Sequence, residues 1–393
     1  MNLQHRLNFL FVLIIVQLFS LYVFLSIGLN DISTDIHTHS EMIKTSIENN
    51  TLPANFLYYL VIYIISGFNG NITSLFTVSL IVLSIAITLK YYFSVIMMNK
   101  ILRFEEMSSN SKYLIIILLI CSLLLIIHPI ITPLDFKNGY FYLGKASINI
   151  WHNSTTIFIM PFVILLFYYS YIYLEKPSNK KLFLILIFSI LNVLIKPSFV
   201  ICFIIVYPII LFLKFRFSKY FLKGIIILFI LGLFLLIEYY FIYILNNYGG
   251  ILYNNEKGSV GIELFREWRH YSENIVIDLL SSITFPLLVT IIYRNKIKES
   301  YLFLYVWLLF LTALIIASVL YEDGPRMWHW NFFWQVPMTN YLLFLITTIF
   351  YLKDLFKRSE YNIKDYLLCF VWLSHLISGL IYLKKFLLEF NYR

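Results

Sequence analysis

The stretch NDISTDIHTHSEM (residues 30–42) gathers carboxylates and imidazoles directly after a long apolar segment. A carboxylate can take a proton from a hydroxyl group as general base, and an imidazole can orient it or share the proton. A metal pair is less favoured, because two histidines need a third ligand and i, i+2 spacing fits a strand or loop better than a helix. The plain alternative is a solvated loop in which Thr38 or Ser40 caps the following helix. The candidate residues are Asp31, Asp35, His37, His39 and Glu41.

Later segments carry further polar residues that suit the recognition of an anion. Arginine presents a planar fork that binds phosphate or pyrophosphate through two hydrogen bonds. Lys196, which precedes Pro197, is costly to bury at a helix end unless an anion accompanies it. Pairing with local acids or lipid headgroups is the alternative for the arginines, and an interfacial aromatic belt is the alternative for the tryptophans. The residues are Lys145, Trp151, His152 and Asn153; Lys196; Arg266, Arg269 and His270; and Glu322, Asp323, Arg326 and His329.

The composition predicts a polytopic helical membrane protein. Mean hydropathy is +0.81, hydrophobic residues make up 60% of the chain and charged residues 13%. Apolar runs of about 20 residues recur, which is the length needed to cross a hydrocarbon core of roughly 30 Å. We interpret the net charge of +9 as loop charge and not as a nucleic-acid-binding surface, because cytoplasmic loops of membrane proteins are rich in lysine and arginine. The three cysteines lie in apolar runs and indicate neither a disulfide framework nor a metal site.

About eleven spans are predicted, and the basic residues orient them. With the N-terminus in the cytoplasm, 18 of the 30 lysines and arginines fall in the shorter inner segments, as the positive-inside rule requires. This orientation places the polar segments described above on the outer side, and Lys90 near the inner end of a span. The spans lie near 8–28, 73–95, 113–133, 154–174, 182–195, 197–213, 222–244, 275–293, 300–320, 336–352 and 364–383.

Two stretches admit a second interpretation of the topology. LPANFLYYLVIYIISGF (52–68) is apolar enough to cross, but counting it as a span would invert every later loop, so we interpret it as an outer-face interfacial helix. Residues 182–195 and 197–213 meet at LIKPSFV, where two short spans or a re-entrant pair both fit. The expected organisation is one membrane domain, 1–393, with an N-terminal module 1–112 that contains the outer loop 29–72, followed by the remaining helices, 113–393.

The order of features in the first hundred residues resembles the GT-C superfamily of integral-membrane glycosyltransferases, which use polyprenyl-phosphate-linked sugars. Asp35 takes the place of that family's catalytic acid in the first outer loop, with Asp31 as the alternative. LPANFLYYLVIYIISGF takes the place of its Pro/aromatic juxtamembrane helix, and 73–95 that of the returning span. The later IKPSF step is also similar. The sequence departs from the better-known branches in its single Pro53, in lacking an Asp-Glu pair after the first span and in lacking a large C-terminal soluble domain, which leaves the acceptor open.

The resemblance implies an all-α, GT-C-like fold in a bacterial cytoplasmic membrane, with juxtamembrane helices in the first outer loop and an active site facing the periplasm or exterior. A sugar would pass from a polyprenyl-(pyro)phosphate donor to a glycan, lipid or protein acceptor, with membrane lipids as neighbours. A divalent cation, Mg²⁺ or Mn²⁺, is an open alternative as cofactor. A surface-polysaccharide repeat-unit polymerase or ligase is the alternative enzyme. A transporter or flippase is the alternative class, against which the nearly uncharged span centres count.

In that chemistry we expect Asp35 to take the proton of the acceptor hydroxyl while His37 orients it or shares the proton. The leaving phosphate needs fixed cations, because charge develops on its oxygen. Trp151 and Trp328 would stack on sugar faces or on the first prenyl units. The expected cations are Lys196, His152, Arg269 and Arg326, and the other expected substrate-binding residues are Asp31, His39, Lys145, Asn153, Arg266, His270, Glu322, Asp323 and His329.

Overall fold

The computed structural model describes residues 3–53, 55–102, 111–245, 258–298, 300–324, 326–358 and 360–389. Arg103, a basic residue assigned to the inner side, and Pro325 of the last polar segment lie outside these residues. The described chain is mostly helical, with very little sheet. Its α-helices are α1 (Leu3–Leu29), α2 (Asp35–Glu48), α3 (Leu57–Ile65), α4 (Ile72–Leu102), α5 (Ser111–Leu124), α6 (Pro133–Asn138), α7 (Ser154–Glu175), α8 (Asn179–Ile195), α9 (Ser198–Phe215), α10 (Lys219–Tyr239), α11 (Arg266–Tyr271), α12 (Ile275–Ile292), α13 (Arg294–Ile297), α14 (Tyr301–Val319), α15 (Gln335–Leu355) and α16 (Ile363–Leu388).

Nine helices in the described part of the chain are long and apolar enough to cross a membrane. They are α1, α4, α7, α9, α10 with its π-helical extension Tyr240–Ile244, α12, α14, α15 and α16. Helices α5 and α8 coincide with the other two predicted spans but have only 14 and 17 residues. At about 1.5 Å per residue, both fall short of a core of roughly 30 Å. The all-α, multi-pass character is confirmed, whereas the count of eleven spans stays a prediction.

The apolar stretch 52–68 forms the short helix α3, which has nine residues. A helix of that length rises about 13 Å, less than half of the hydrocarbon core. Helix α3 packs against α2, α4 and α8, and buries Tyr58, Tyr59 and Ile62. The stretch is therefore too short a helix to count as a crossing, as the charge distribution predicts. Its place at the membrane interface stays a prediction.

Helices α8 and α9 are separated by a sharp break at Lys196 and Pro197. Proline has no backbone N–H and cannot continue the hydrogen-bond ladder of α8. Lys196 ends α8 with an extended backbone, and its N–H donates to the carbonyl oxygen of Asn192 at 2.8 Å. Helix α9 begins directly after the proline, at Ser198. The break places the lysine side chain at the meeting point of two helix ends.

Helix α15 forms the centre of the bundle. Its membrane-length segment is 94% buried, and it packs against α4, α7, α9, α12 and α14. Lys90, predicted near the inner end of a span, instead lies towards the middle of α4 and is buried. Its Nζ donates to Oδ1 of Asn149 at 2.7 Å and lies 3.7 Å above the ring of Tyr341 in α15. Lys90 therefore joins α4 to its neighbours, and the span centres are less uncharged than the sequence indicates.

A small antiparallel sheet departs from the all-helical prediction. Strand β1 (Ser259–Ile262) pairs with β2 (Leu320–Asp323), with Ser259 opposite Asp323 and Ile262 opposite Leu320. Two short 3₁₀ turns, Met327–His329 and Asn331–Phe333, follow β2 and lead into α15. The sheet ties the polar segment before α12 to the polar segment before α15.

The connections between helices collect in two separate groups. Residues after α1, before α7, between α8 and α9, and before α15 line one large cavity. The connections after α12 and after α15, assigned to the inner side, line a second cavity of about 240 Å³. Lys223 donates to Asn179 at 2.9 Å, and Lys214 pairs with Glu175 at 3.7 Å, so other inner segments also meet one another. The alternation of spans and the side that faces the cytoplasm stay predictions.

Candidate active site

A cavity of about 580 Å³ forms where the predicted outer segments meet. Its volume lies within the range of roughly 300–1,000 Å³ that is typical of ligand pockets. Nine of the sequence-predicted site residues line it: Asp35, His39, Lys145, His152, Asn153, Lys196, His270, Trp328 and His329. The other lining residues are Thr38, Met42, Tyr140, Tyr142, Leu143, Tyr271, Trp330, Asn331, Phe333 and Trp334.

The start of helix α2 decides which residues of the first outer segment face the cavity. Thr34, not Thr38 or Ser40, caps this helix, and its side-chain oxygen accepts from the N–H of Ile36 at 3.4 Å. Asp35 is therefore already helical, and the residue one turn later on the same face is His39. Both line the cavity.

His37 faces away from this site because residues two apart lie on opposite sides of a helix. Its imidazole is exposed and lies 3.4 Å from the carboxylate of Glu41. His39, and not His37, is the imidazole that shares the cavity with Asp35. The prediction of His37 as the partner of the acid treated the segment as a loop, and the helix changes that pairing. Asp31 is exposed in a left-handed conformation with φ of 53° and does not line the cavity.

Asn153 holds the carboxylate of Asp35. Its Nδ2 donates to Oδ2 of Asp35 at 2.7 Å, and the N–H of Asp35 donates to the carbonyl oxygen of His152 at 3.1 Å. Asn153 is also the N-cap of α7, because its Oδ1 accepts from the N–H of Thr156 at 3.1 Å. The same side chain therefore starts a membrane-length helix and orients the candidate base.

Lys196 approaches the other end of the same asparagine. Its Nζ lies 3.4 Å from Oδ1 of Asn153 and 3.2 Å from Oγ1 of Thr155, and 4.8 Å from the centre of the Trp334 ring. In the described part of the chain it forms no ion pair with a carboxylate. Burial lowers the pKa of Lys196 to about 7, although the charges of Asp35 and Glu322 act in the opposite direction. A partly protonated ammonium with only neutral hydrogen-bond partners is suited to an incoming anion.

Two of the cavity's imidazoles are neutral at pH 7. Burial lowers the pKa of His39 to about 4 and that of His152 to about 4, against the opposing charge of Asp35. The Nδ1 of His39 lies 2.9 Å from the hydroxyl group of Tyr59, which sets the orientation of the ring. In this environment His152 cannot supply the fixed positive charge that the sequence predicts for it. It packs edge-on against Tyr142, with ring centres 4.8 Å apart.

Lys145 borders the cavity, but its charge is already neutralised. Its Nζ lies 3.0 Å from Asp135 and 3.4 Å from Asp278, and it donates to Ser281 at 3.1 Å. The side chain is completely buried. A buried cation between two carboxylates holds α6 and α12 together, so we assign Lys145 to structure and not to phosphate binding.

Gly144 allows the neighbouring segment to pack closely. Its φ is +80°, a left-handed conformation that side-chain-bearing residues rarely adopt. A Cβ there would lie 2.6 Å from the carbonyl oxygen of Tyr271 and 2.9 Å from Cβ of Ser272. The indole N–H of Trp268 donates to the carbonyl oxygen of Gly144 at 2.8 Å. The glycine thereby lets α11 lie directly on the loop before α7.

The predicted arginines lie outside the cavity lining. Arg326 is buried and pairs with Glu322 at 3.3 Å, and Arg266 pairs with Glu263 at 2.8 Å. Arg269 is exposed on α11. Each local acid precedes its arginine by three or four residues, so the pairing alternative for Arg266 and Arg326 describes the structure. None of the three arginines lines the cavity.

Glu322 is buried beneath the cavity wall in a hydrogen-bonded cluster. Besides Arg326, it accepts from Tyr243 at 2.5 Å and from Asn331 at 2.5 Å. Its neighbour in β2, Asp323, is exposed and does not line the cavity. Glu267 is buried close by, and burial together with the charge of Glu322 raises its pKa to about 8. Sequence reasoning overlooked Glu267, since a single acid in a charged segment carries no burial signal.

Of the two tryptophans predicted to stack on a substrate, one is buried in the core and the other lines the cavity. Trp151 is buried against Phe19 and Phe24, with ring centres 6.0 Å apart in both pairs, and does not line the cavity. Trp328 is exposed in the cavity wall and stacks on His270, with ring centres 4.0 Å apart. Trp151 thus belongs to the packing of α1, whereas Trp328 is available to a ligand.

Several residues of the site escaped sequence analysis. Thr155 binds Lys196 but carries no sequence signal beyond its place after the Asn153 cap. Tyr140 and Tyr142 enter the cavity from the loop between α6 and α7, and tyrosines are too frequent in this chain to single these two out. Among the described residues, no group of three or more His, Cys, Asp or Glu side chains could hold a metal ion. The open alternative of Mg²⁺ or Mn²⁺ stays a prediction, because Mg²⁺ is commonly held by one or two carboxylates together with substrate phosphates.

Comparison of the chain with protein-family models, with curated proteins and with solved structures finds no match in any of the three. The candidate function therefore rests on the geometry of this cavity.

Proposed function

We propose that this protein is a membrane glycosyltransferase that transfers a sugar from a polyprenyl-(pyro)phosphate donor to an acceptor hydroxyl group. The observation that carries the proposal is the position of Asn153 between Asp35 and Lys196. The amide of Asn153 binds the carboxylate of Asp35 through one atom and the ammonium of Lys196 through the other. Among the described residues, Asp35 has no cationic partner and Lys196 has no anionic partner. A base and a phosphate-binding cation are the two groups that inverting transfer from a phosphate-linked sugar requires.

The proposed reaction uses Nζ of Lys196 and Oδ1 of Asp35. The donor phosphate pairs with Nζ of Lys196, which becomes fully protonated because a bound anion favours the charged form. The acceptor oxygen attacks the anomeric carbon while Oδ1 of Asp35 takes its proton; Oδ2 is already held by Asn153. The bond between the anomeric carbon and the phosphate oxygen breaks, and its electron pair goes to that oxygen. Lys196 stabilises the charge that develops there.

The surroundings favour this division of roles. With His39 and His152 neutral and Lys145 paired, Lys196 is the cavity-lining cation available to an anion in the described part of the chain. The cavity lies at the ends of membrane-length helices, where a polyprenyl tail can stay among apolar side chains while its phosphate reaches the lysine.

The proposal is tested by measuring transfer from radiolabelled polyprenyl-phosphate and polyprenyl-pyrophosphate sugars with the purified full chain. We expect Asp35→Asn to reduce transfer by about 100-fold or more, since a general base contributes roughly 10²–10⁴-fold. Expression and detergent stability should stay unchanged, because asparagine has the same shape. An Asp35→Asn variant with full activity would remove Asp35 as the base. Absence of transfer from every donor would refute the proposed function.

The second candidate function is that of a surface-polysaccharide polymerase or ligase. The observation that favours it is the aromatic wall formed by Trp328, Trp330 and Trp334, because a glycan chain needs an extended contact surface. The same assay with a lipid-linked oligosaccharide as both donor and acceptor separates the two. Transport is less favoured. The ionisable residues buried within spans, such as Lys90 and His375, are bound to Asn149 and to the carbonyl oxygen of His128, and neither lines the cavity.

A further inference from the structure

Trp328 is an exposed aromatic residue inside a polar cavity. It keeps 44% of its surface accessible, although it stands in the cavity wall. Its ring is covered on one side by the imidazole of His270, with ring centres 4.0 Å apart and planes 26° apart. Tyr140 and Asn331 line the same cavity. The result is an indole backed by a second ring, in a cavity that also presents hydrogen-bonding groups.

The position of this indole is fixed by further stacking. Tyr271 donates its hydroxyl to the carbonyl oxygen of Trp328 and stacks on Trp330, with ring centres 5.0 Å apart. Trp330 stacks in turn on Phe333 at 3.7 Å, and its backbone is left-handed, with φ of 52°. A bulky residue in that conformation is strained and persists only where its surroundings determine it. Tyr271 therefore holds the backbone of Trp328, and His270 holds its ring.

The indole and the proposed reacting groups line one cavity. Trp328 is followed directly by His329, which is close enough to Asp35 and Lys196 for their charges to act on it. Trp328, His329 and Asp35 all line the same cavity. A molecule resting on the indole would therefore occupy the same cavity as the candidate base.

We propose that Trp328, backed by His270, is the stacking platform of an acceptor subsite, and that the acceptor is a saccharide; this rests on the proposed function. A pyranose ring has an apolar C–H face and a rim of hydroxyl groups, which match an exposed indole face with polar neighbours. A simple alcohol or a serine side chain offers no such face. A prenyl or acyl chain would cover the polar groups of this cavity without offering them any hydrogen bond.

The experiment measures binding of free oligosaccharides to the detergent-purified full chain by saturation-transfer NMR and calorimetry. The probes are trisaccharides of glucose, mannose, galactose and N-acetylglucosamine, with hexanol as the apolar control. We expect at least one trisaccharide to bind and Trp328→Ala to weaken it by about tenfold or more, as loss of an aromatic stacking partner does. Trp328→Phe should weaken it less, and His270→Ala should also weaken it. The matched control is Trp307→Phe: Trp307 donates to Thr290, and neither residue lines the cavity.

The proposal is overturned if no trisaccharide binds, or if Trp328→Ala and Trp307→Phe bind equally tightly. It is also overturned if Trp328→Ala changes only binding to lipid vesicles, because the indole would then be an interfacial anchor. Asp35→Asn should lose transfer but keep trisaccharide binding, so the two proposals fail separately. Trp328-dependent binding without transfer would support the subsite and refute the transferase. Transfer that Trp328→Ala leaves unchanged would support the transferase and refute the subsite.

Discussion

Nδ2 of Asn153 donates a 2.7 Å hydrogen bond to Oδ2 of Asp35, although the two residues are 118 positions apart in the chain. Because Asn153 also caps α7, its contributions to stability and to the site can be separated by substitution. Serine is as good an N-cap as asparagine, but its shorter side chain does not reach both Asp35 and Lys196.

We therefore expect Asn153→Ser to keep the free energy of unfolding within about 0.5 kcal/mol of the wild type. Transfer should fall by about 10- to 100-fold, because a misplaced base loses its orientation. Asn153→Ala should lose activity and in addition about 1 kcal/mol of stability with the cap. Thermal unfolding and initial rates on the same preparations check both parts. Full activity of Asn153→Ser would show that the bridge does not matter to catalysis.

The pKa of Lys196, about 7, predicts a pH-dependent affinity for anions. Below pH 7 the ammonium is charged before binding; above pH 7 a proton must be taken up, so affinity falls by up to about tenfold per pH unit. Phosphate monoesters have their second pKa near about 6 and contribute little to the change from pH 7 to 9. Binding of polyprenyl phosphate measured over that range should show the fall. Lys196→Arg should remove it, because a guanidinium stays protonated; an unchanged profile in that variant contradicts the assignment.

Helical phase distinguishes His39 from His37 and supplies a matched pair of variants. His39 lies one turn after Asp35, in the cavity, whereas His37 is exposed beside Glu41. We expect His39→Ala to lower the transfer rate by about tenfold through lost positioning, and His37→Ala to leave it unchanged. Rates from both variants at saturating donor decide the matter. Equal effects would mean that the helix face does not define the site.

The buried cation Lys145 predicts a large stability effect. Removing one partner of a buried ion pair leaves an uncompensated charge and costs about 3–5 kcal/mol. Lys145→Met should therefore lower the unfolding midpoint strongly, since Asp135 and Asp278 would lose their shared cation. Lys137→Met, on the exposed face of α6, is the nearby control and should have little effect. A stable, fully active Lys145→Met variant would contradict the structural role.

Glu267 predicts that stability falls as pH rises. Its pKa is about 8 in the folded chain and about 4.5 when exposed, so between these values the folded state holds a proton that the unfolded state has lost. Unfolding becomes easier as pH rises through that window. Glu267→Gln should flatten the slope of midpoint against pH, whereas Glu273→Gln, at an exposed position, should not. Parallel slopes in all three proteins would exclude this origin.

How far the sequence predicts this molecule depends on which interactions decide each feature. Apolar runs and basic loops identify the helices and the polar connections that converge on one cavity, since hydropathy acts locally. The start of α2 at Thr34 was not predictable, because several residues nearby can cap a helix equally well. The position of this cap sets the phase of α2, and the phase brings His39 rather than His37 to the cavity. The partners of Lys145 and the burial of Trp151 depend on contacts between distant segments, which no local pattern records.

Position 144 has no room for a side chain. The residue has no functional group, yet any side chain there would collide with the backbone of Tyr271 while its own backbone stays in a conformation that disfavours side chains. Substitutions of aromatic or charged residues that line the cavity can change which ligand is bound. A methyl group at position 144 would instead force Tyr271 and Ser272 to shift. The most chemically inert residue of the site is therefore the one least open to replacement.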